Sequence, residues 1–152
     1  MLRIGKLTDY ATVILATMAA DRSRLQNAGS LAEQTHIAPP TVSKLLKQLQ
    51  RSGLVNSTRG THGGYQLARA PEEISAAAIL DALEGPFAIT ECSGQHSSCG
   101  IESNCRTGHA WQRVNAAIRK TLTDVTLAQL AGTDRATVTH IPLTRITRST
   151  PQ

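Results

Sequence analysis

The chain has 152 residues, of which 40% are hydrophobic and 3% aromatic, so we expect one domain with an aliphatic core. Residues 1–70 contain nine basic and three acidic residues, whereas residues 71–105 contain six acidic and no basic residues. The basic N-terminal part suits a polyanionic partner, and no stretch approaches the length of a membrane span, which argues against a membrane protein.

Two helices are predicted in the first 40 residues. Apolar residues at helical spacing predict the first over residues 7–20. Residues 26–29 read as a turn. Ser30 and Glu33 then have the spacing of a capping box, which predicts the start of a short second helix. A tight turn over residues 36–38 follows it.

A third helix is predicted over residues 40–52. Its apolar stripe comprises Val42, Leu45, Leu46 and Leu49. Three cations lie on the opposite face. Taken alone, they are as consistent with a solvated surface as with a binding surface. A short helix, a tight turn and a basic second helix form a helix-turn-helix motif, whose second helix enters the DNA major groove. The candidate DNA contacts on this helix are Pro40, Thr41, Ser43, Lys44, Lys47 and Arg51.

A β-hairpin is predicted directly after this helix. Strands beginning at residue 54 and over residues 65–68 flank a glycine-rich turn over residues 58–64. A basic hairpin in this position is the wing of a winged helix. Arg59 is placed to enter a minor groove or contact phosphate, and Thr61 is placed to approach the DNA backbone.

A fourth helix is predicted after the wing. Ser75 suits its N-cap, and Ile74 and Ile79 have the spacing of a hydrophobic staple. The helix ends at residues 85–86. The short apolar connection over residues 87–89 is expected to anchor the following loop to the core.

All three cysteines, Cys92, Cys99 and Cys105, occur in one polar loop, with six residues between the first two and five between the last two. Buried structural cysteines normally have apolar neighbours, so these thiols are predicted to share a function. Soft thiolates select iron–sulfur clusters, zinc or cuprous copper, and an iron–sulfur cluster with one ligand from outside the loop is our first hypothesis. The odd number of cysteines and the lack of a signal peptide favour a reducing cytoplasm.

A long helix is predicted after the cysteines. Its apolar stripe comprises Trp111, Val114, Ile118, Leu122 and Val125, and Gly132 ends it. This stripe needs a partner, and a two-fold dimer explains it better than packing on its own domain. The expected organisation is a winged helix-turn-helix DNA-binding domain (1–86), a cysteine loop (87–108), a dimerisation helix (109–132) and a flexible tail (133–152).

The sequence Leu-Thr-Asp-Tyr-Ala in the first helix, the wing sequence Arg-Gly-x-x-Gly-Gly-Tyr, the three-cysteine loop and the long helix together resemble the Rrf-two family. These are winged-helix iron–sulfur regulators with IscR-like and NsrR-like branches. The likeness covers residues 1–132 and is nearest to regulators of the SUF cluster-assembly operon. It implies a mainly α fold, a homodimer on double-stranded operator DNA, and a cluster whose occupancy sets DNA affinity.

The resemblance also implies the ligands. Cys92, Cys99 and Cys105 match the family's three thiolates. Asp9 matches the aspartate that the other subunit contributes in the NsrR-like branch, although aspartate here equally suits a helix N-cap. His109 is the alternative fourth ligand, one position later than the IscR-like histidine. The cluster type, 2Fe-2S or 4Fe-4S, stays open, as does the sensing of cluster status, redox state or nitric oxide.

Three other functions compete with that of an iron–sulfur regulator. Three cysteines and His109 satisfy a tetrahedral zinc site, but close C-x-x-C pairs are missing. A thiol switch without a cluster would form a disulfide on oxidation. An enzyme with a cysteine nucleophile finds no suitably placed base, and a small-molecule substrate is not expected.

Overall fold

The computed structural model describes residues 3–94, 99–100 and 105–133, and within them the chain is mainly helical with one β-hairpin, as predicted. The predicted tail, apart from Thr133, lies outside the described residues. The elements are α1 (Lys6–Ala20), α2 (Ala28–Thr35), α3 (Pro39–Arg51), β1 (Val55–Thr58), β2 (Gly64–Leu67), α4 (Ala76–Glu84), α5 (Gly108–Asp124) and α6 (Leu127–Leu130).

The core is aliphatic and lies between α1, α2 and α3, with contributions from the other elements. The predicted stripe of α3 is confirmed, since each of its four residues has no exposed surface. Burying a leucine contributes about 1.5–3 kcal/mol, so this stripe fixes the rotation of α3. The cations of α3 consequently face outward.

The start of α2 differs from the prediction. The helix begins at Ala28, because the side chain of Asn27 accepts a hydrogen bond from the backbone amide of Ser30 at 2.8 Å. Asn27 is therefore the N-cap, and Ser30 lies inside the helix. At the other end, His36 adopts a left-handed conformation with φ of 55°, which allows the tight turn into α3.

The wing consists of β1 and β2, paired antiparallel with Val55 opposite Leu67. Gln26 extends the sheet by one bridge, with two backbone hydrogen bonds to Tyr65 at 2.8 and 2.9 Å. Gly64 permits this approach, because a Cβ there would lie 3.0 Å from the carbonyl oxygen of Gln26. Gly64 thus serves the packing of the wing itself.

The single helix predicted up to Gly132 is divided in the structure. α5 ends at Asp124, and Thr126 caps α6 in a capping box with Gln129. The intervening backbone pairs with the chain at the start of α4, where the amide of Ala76 donates to the carbonyl of Val125 at 2.8 Å. Leu127 is fully buried, so the break is stabilised by core packing and backbone pairing that outweigh one more helical turn.

Candidate nucleic-acid interface and cysteine segment

The outward face of α3 and the wing form a basic surface, defined here as Lys44, Lys47, Arg51 and Arg59. All four side chains are exposed, and none forms an ion pair with a described residue. Of the remaining predicted contacts, Pro40 and Thr61 are exposed, and Thr41 and Ser43 are half-buried. Unpaired exposed cations are available to phosphate groups.

A groove of about 450 Å³ lies between α3 and the wing and brings Lys47 and Arg59 to one site. Gln50 also lines it and donates to the hydroxyl of Ser57 at 2.7 Å, which fixes the wing relative to α3. Sequence reasoning missed Gln50 and Ser57. The spacing of Gln50, three residues after Lys47, places it on the same side of the helix and was an available signal.

A second groove of about 430 Å³ follows α3 itself. It is lined by Pro40, Ser43, Lys44, Lys47, Gln48 and Arg51.

Gln48 ties α3 to α4. Its side-chain amide donates to the carbonyl oxygens of Ala82 and Leu83 at 3.2 and 3.3 Å, at the end of α4. These carbonyls are among the last of the helix and lack intrahelical partners. The predicted recognition helix is therefore hydrogen-bonded to α4 as well as packed in the core.

The three cysteines are half-buried and form no disulfide. Cys92 lies in a short 3-10 turn, Glu91–Ser93, with the hydroxyl of Thr90 at 3.3 Å from its sulfur. The sulfur of Cys105 has the hydroxyl of Thr107 at 3.3 Å and lies beside the start of α5. Residues 95–98 and 101–104, on either side of Cys99, lie outside the described part.

Within residues 3–94, 99–100 and 105–133, no three histidine, cysteine or acidic side chains are close enough to share a metal ion. Asp9 is exposed in the first turn of α1, and His109 is exposed in the first turn of α5. Half-buried thiols remain a donor set that suits an iron–sulfur centre. The thiols thus have the right chemistry to bind such a centre, but the described residues of one chain do not bring three ligands together.

Asp9 is not the N-cap of α1. The N-cap is Gly5, and the carboxylate of Glu84 accepts from the Gly5 amide at 2.9 Å and the Thr8 hydroxyl at 2.6 Å. A carboxylate from α4 therefore stabilises the start of α1.

One side of α5 is polar and faces its own chain. Gln112 donates to the carbonyl of Cys92 at 3.1 Å, and Arg119 makes a bidentate ion pair with Asp81 of α4 at 2.7 and 3.1 Å. This pairing raises the pKa of Arg119. Between them lies Asn115, which is 8% exposed. The spacing of three and four residues is helical, but the partners were not predictable from it.

The apolar stripe of α5 has no complete cover within the described chain. Trp111 and Val114 are 47% and 43% exposed, and Ile118, Leu122 and Val125 are half-buried. Trp111, Val114, Ile118 and Leu122 follow the predicted period within α5, whereas Val125 is the C-cap of the helix and has an extended backbone. The exposure of Trp111 and Val114 is typical of an interaction surface.

Residues 4–133 match the Rrf2 family model, described as iron-dependent transcriptional regulator. The chain belongs to the Rrf2 family. It is 30% identical over 131 residues to the regulator NsrR of Oceanobacillus iheyensis, covering 85% of this chain and 89% of that one.

Two solved structures resemble the fold. The global cysteine regulator CymR of B. subtilis has a TM-score of 0.70 at 26% identity, covering 88% of this chain and 99% of that one. IscR of T. potens has a TM-score of 0.66 at 27% identity, covering 90% and 92%. The winged-helix fold inferred from the sequence is thereby confirmed.

The protein is therefore a DNA-binding transcriptional regulator, and its relatives are named as regulators, which are not enzymes. Among the helices of the described residues, none is both long and apolar enough to cross a bilayer.

Proposed function

We propose that this Rrf2 protein is a dimeric regulator that senses an iron–sulfur cluster and controls genes of cluster assembly. One observation supports this most: three half-buried thiols occupy the connection between α4 and α5, and α5 is hydrogen-bonded to that connection. The iron-dependent description of the family and the likeness to NsrR and IscR support the same function.

Cys92, Cys99 and Cys105 would hold the cluster, with Asp9 of a second subunit as the preferred fourth ligand and His109 as the alternative. When bound, such a cluster supplies a centre that responds to oxidants, nitric oxide and iron supply. Asp9 is exposed and does not cap its helix, so it remains accessible to a second chain. A carboxylate is a hard ligand for this soft site, which suits reversible binding.

The response reaches DNA through α5 and α4. Arg119 of α5 holds Asp81 of α4, and the end of α4 accepts hydrogen bonds from Gln48 of α3. A change in the cysteine segment that shifts α5 would thus bias the position of the basic surface. Such a ligand shifts the equilibrium only by its differential affinity for the two arrangements.

The dimer is proposed to form through the apolar stripe of α5. A Trp111→Asp substitution places a charge in that interface and should convert the dimer into monomers in sedimentation experiments. Arg113→Asp, on the side of α5 away from the stripe, serves as the matched control. Monomeric wild-type protein would contradict the proposal.

Anaerobic purification with visible absorption and iron and sulfide counting tests the cluster directly. Brown or red protein with iron and sulfide is expected, and a Cys92→Ser variant should lose the colour while keeping its helical circular dichroism. Gel-shift titrations then compare loaded and cluster-free protein on the same operator. Equal affinities would contradict sensing, and colourless, iron-poor protein would contradict the cluster.

A second candidate is a thiol switch without a cluster. It is favoured by the half-buried, non-disulfide state of the cysteines and by the likeness to a cysteine regulator. Hydrogen peroxide would join two of the thiols as a disulfide and be reduced to water. A peroxide response that persists in iron-free protein would favour this candidate, whereas stoichiometric zinc in colourless protein would favour a structural zinc site.

A further inference from the structure

The buried side of α5 is unusual because it carries amides where packing would normally place apolar groups. Asn115 is 8% exposed, and Gln112 is half-buried one turn before it. A buried amide destabilises a protein unless its hydrogen bonds are satisfied. The position of Asn115 therefore requires specific partners.

Those partners are the two backbone groups that flank Cys92. The side-chain oxygen of Asn115 accepts from the amide of Ile89 at 3.2 Å, and its nitrogen donates to the carbonyl of Ser93 at 3.2 Å. Gln112 donates to the carbonyl of Cys92 itself. Two residues of α5 thus make three hydrogen bonds to three residues of the connection, all within residues 89–93.

The sequence predicts that an apolar connection at residues 87–89 anchors this segment, but the side chains of Phe87 and Ile89 are only half-buried. Hydrogen bonds to the backbone therefore replace much of the expected apolar anchoring. Such bonds fix position and direction more precisely than apolar contact, which is non-directional.

We infer that Asn115, assisted by Gln112, is a positioning residue that fixes the turn containing Cys92 on α5. This inference rests on the proposed cluster function, since holding that turn presets one thiol for the centre. The hydrogen bonds that the described residues make with Asn115 are to backbone groups before and after Cys92, so Asn115 acts on the thiol through the backbone.

Three variants test the inference. Asn115→Leu removes both hydrogen bonds, and Asn115→Asp retains only the acceptor for the Ile89 amide. Ala117→Leu adds the same apolar side chain at an exposed position on the opposite side of α5 and is the matched control. Amide hydrogen exchange over residues 87–94 is measured in metal-free protein, and iron release to a chelator is measured in loaded protein.

Asn115→Leu should raise exchange of residues 87–94 about tenfold, the factor equivalent to about 1.4 kcal/mol, and should speed iron release by a similar factor. Asn115→Asp should also raise exchange, because its carboxylate faces the Ser93 carbonyl without a proton to donate, and Ala117→Leu should match wild type in both measurements. Asn115→Asp keeps the size of the side chain and the hydrogen bond from the Ile89 amide, so it provides a second test if Asn115→Leu folds poorly.

Unchanged exchange in Asn115→Leu would overturn the inference, as would iron release equal to wild type. Wild-type protein that binds no iron would instead contradict the proposed function. In that case the exchange measurement alone decides whether Asn115 fixes the turn, so the two failures are distinguishable.

Discussion

The basic surface should control the salt dependence of operator binding. Each phosphate contact lowers the logarithm of the binding constant by about 0.9 per tenfold rise in salt. The four exposed cations, Lys44, Lys47, Arg51 and Arg59, occur twice in the proposed dimer. If all contact phosphate, the slope is about −7, and affinity falls roughly 10⁴-fold between 50 and 200 mM salt.

A Lys47→Gln substitution removes two of these contacts per dimer and should make the slope shallower by about 2. Affinity should weaken equally for operator and unrelated DNA, since phosphate contacts do not read sequence. Fluorescence anisotropy titrations at several salt concentrations measure both effects. Lys120→Gln, which removes the same charge from an exposed pair with Asp124 on α5, is the control. An unchanged slope for Lys47→Gln, or an equal change for Lys120→Gln, would refute this assignment.

Three further substitutions test the framework. Gly63→Ala places a Cβ against the wing backbone and should lower the free energy of unfolding by about 1–3 kcal/mol, seen as a lower Tm, whereas Gly100→Ala meets open space and should not. His36→Gly relieves a left-handed φ and should raise the free energy of unfolding by up to about 1 kcal/mol, seen as a higher urea midpoint. A lower midpoint would show that the imidazole itself stabilises the turn. Arg119→Met should cost about 1 kcal/mol or less, because the ion pair with Asp81 is partly exposed. The pKa of Arg119 is raised, so the stabilisation from its charge is fully present below the ordinary arginine pKa and is lost only at higher pH. The difference in unfolding free energy between wild type and Arg119→Met should therefore be the same in urea titrations at pH 6 and pH 9.

Sequence reasoning succeeded where the signal was local. The stripe of α3 and the glycine-rich hairpin depend on residues a few positions apart, and Ser75 caps α4 by accepting from the amide of Ala78 as predicted. Their geometry follows from periodicity and turn chemistry, which are written in short stretches of chain.

The errors arose where the deciding partner is distant in sequence. The end of α5 at Asp124 depends on backbone pairing between Val125 and Ala76, and the hydrogen bonds from α5 to residues 89 and 93 come from Asn115, more than twenty residues later. The pattern of α5 showed an apolar stripe and polar positions beside it. The pattern did not show whether the apolar or the polar side of α5 faces its own chain.

The sequence by itself determined the kinds of element, the winged helix-turn-helix order, the exposed cations and the thiols, because composition and short-range periodicity set these properties. The tertiary structure decided that the polar side of α5 lies against the cysteine segment and that Trp111 and Val114 of its apolar stripe stay exposed. That choice depends on matching buried amides and a guanidinium to particular backbone and carboxylate groups, and such matches exist only once the chain has folded.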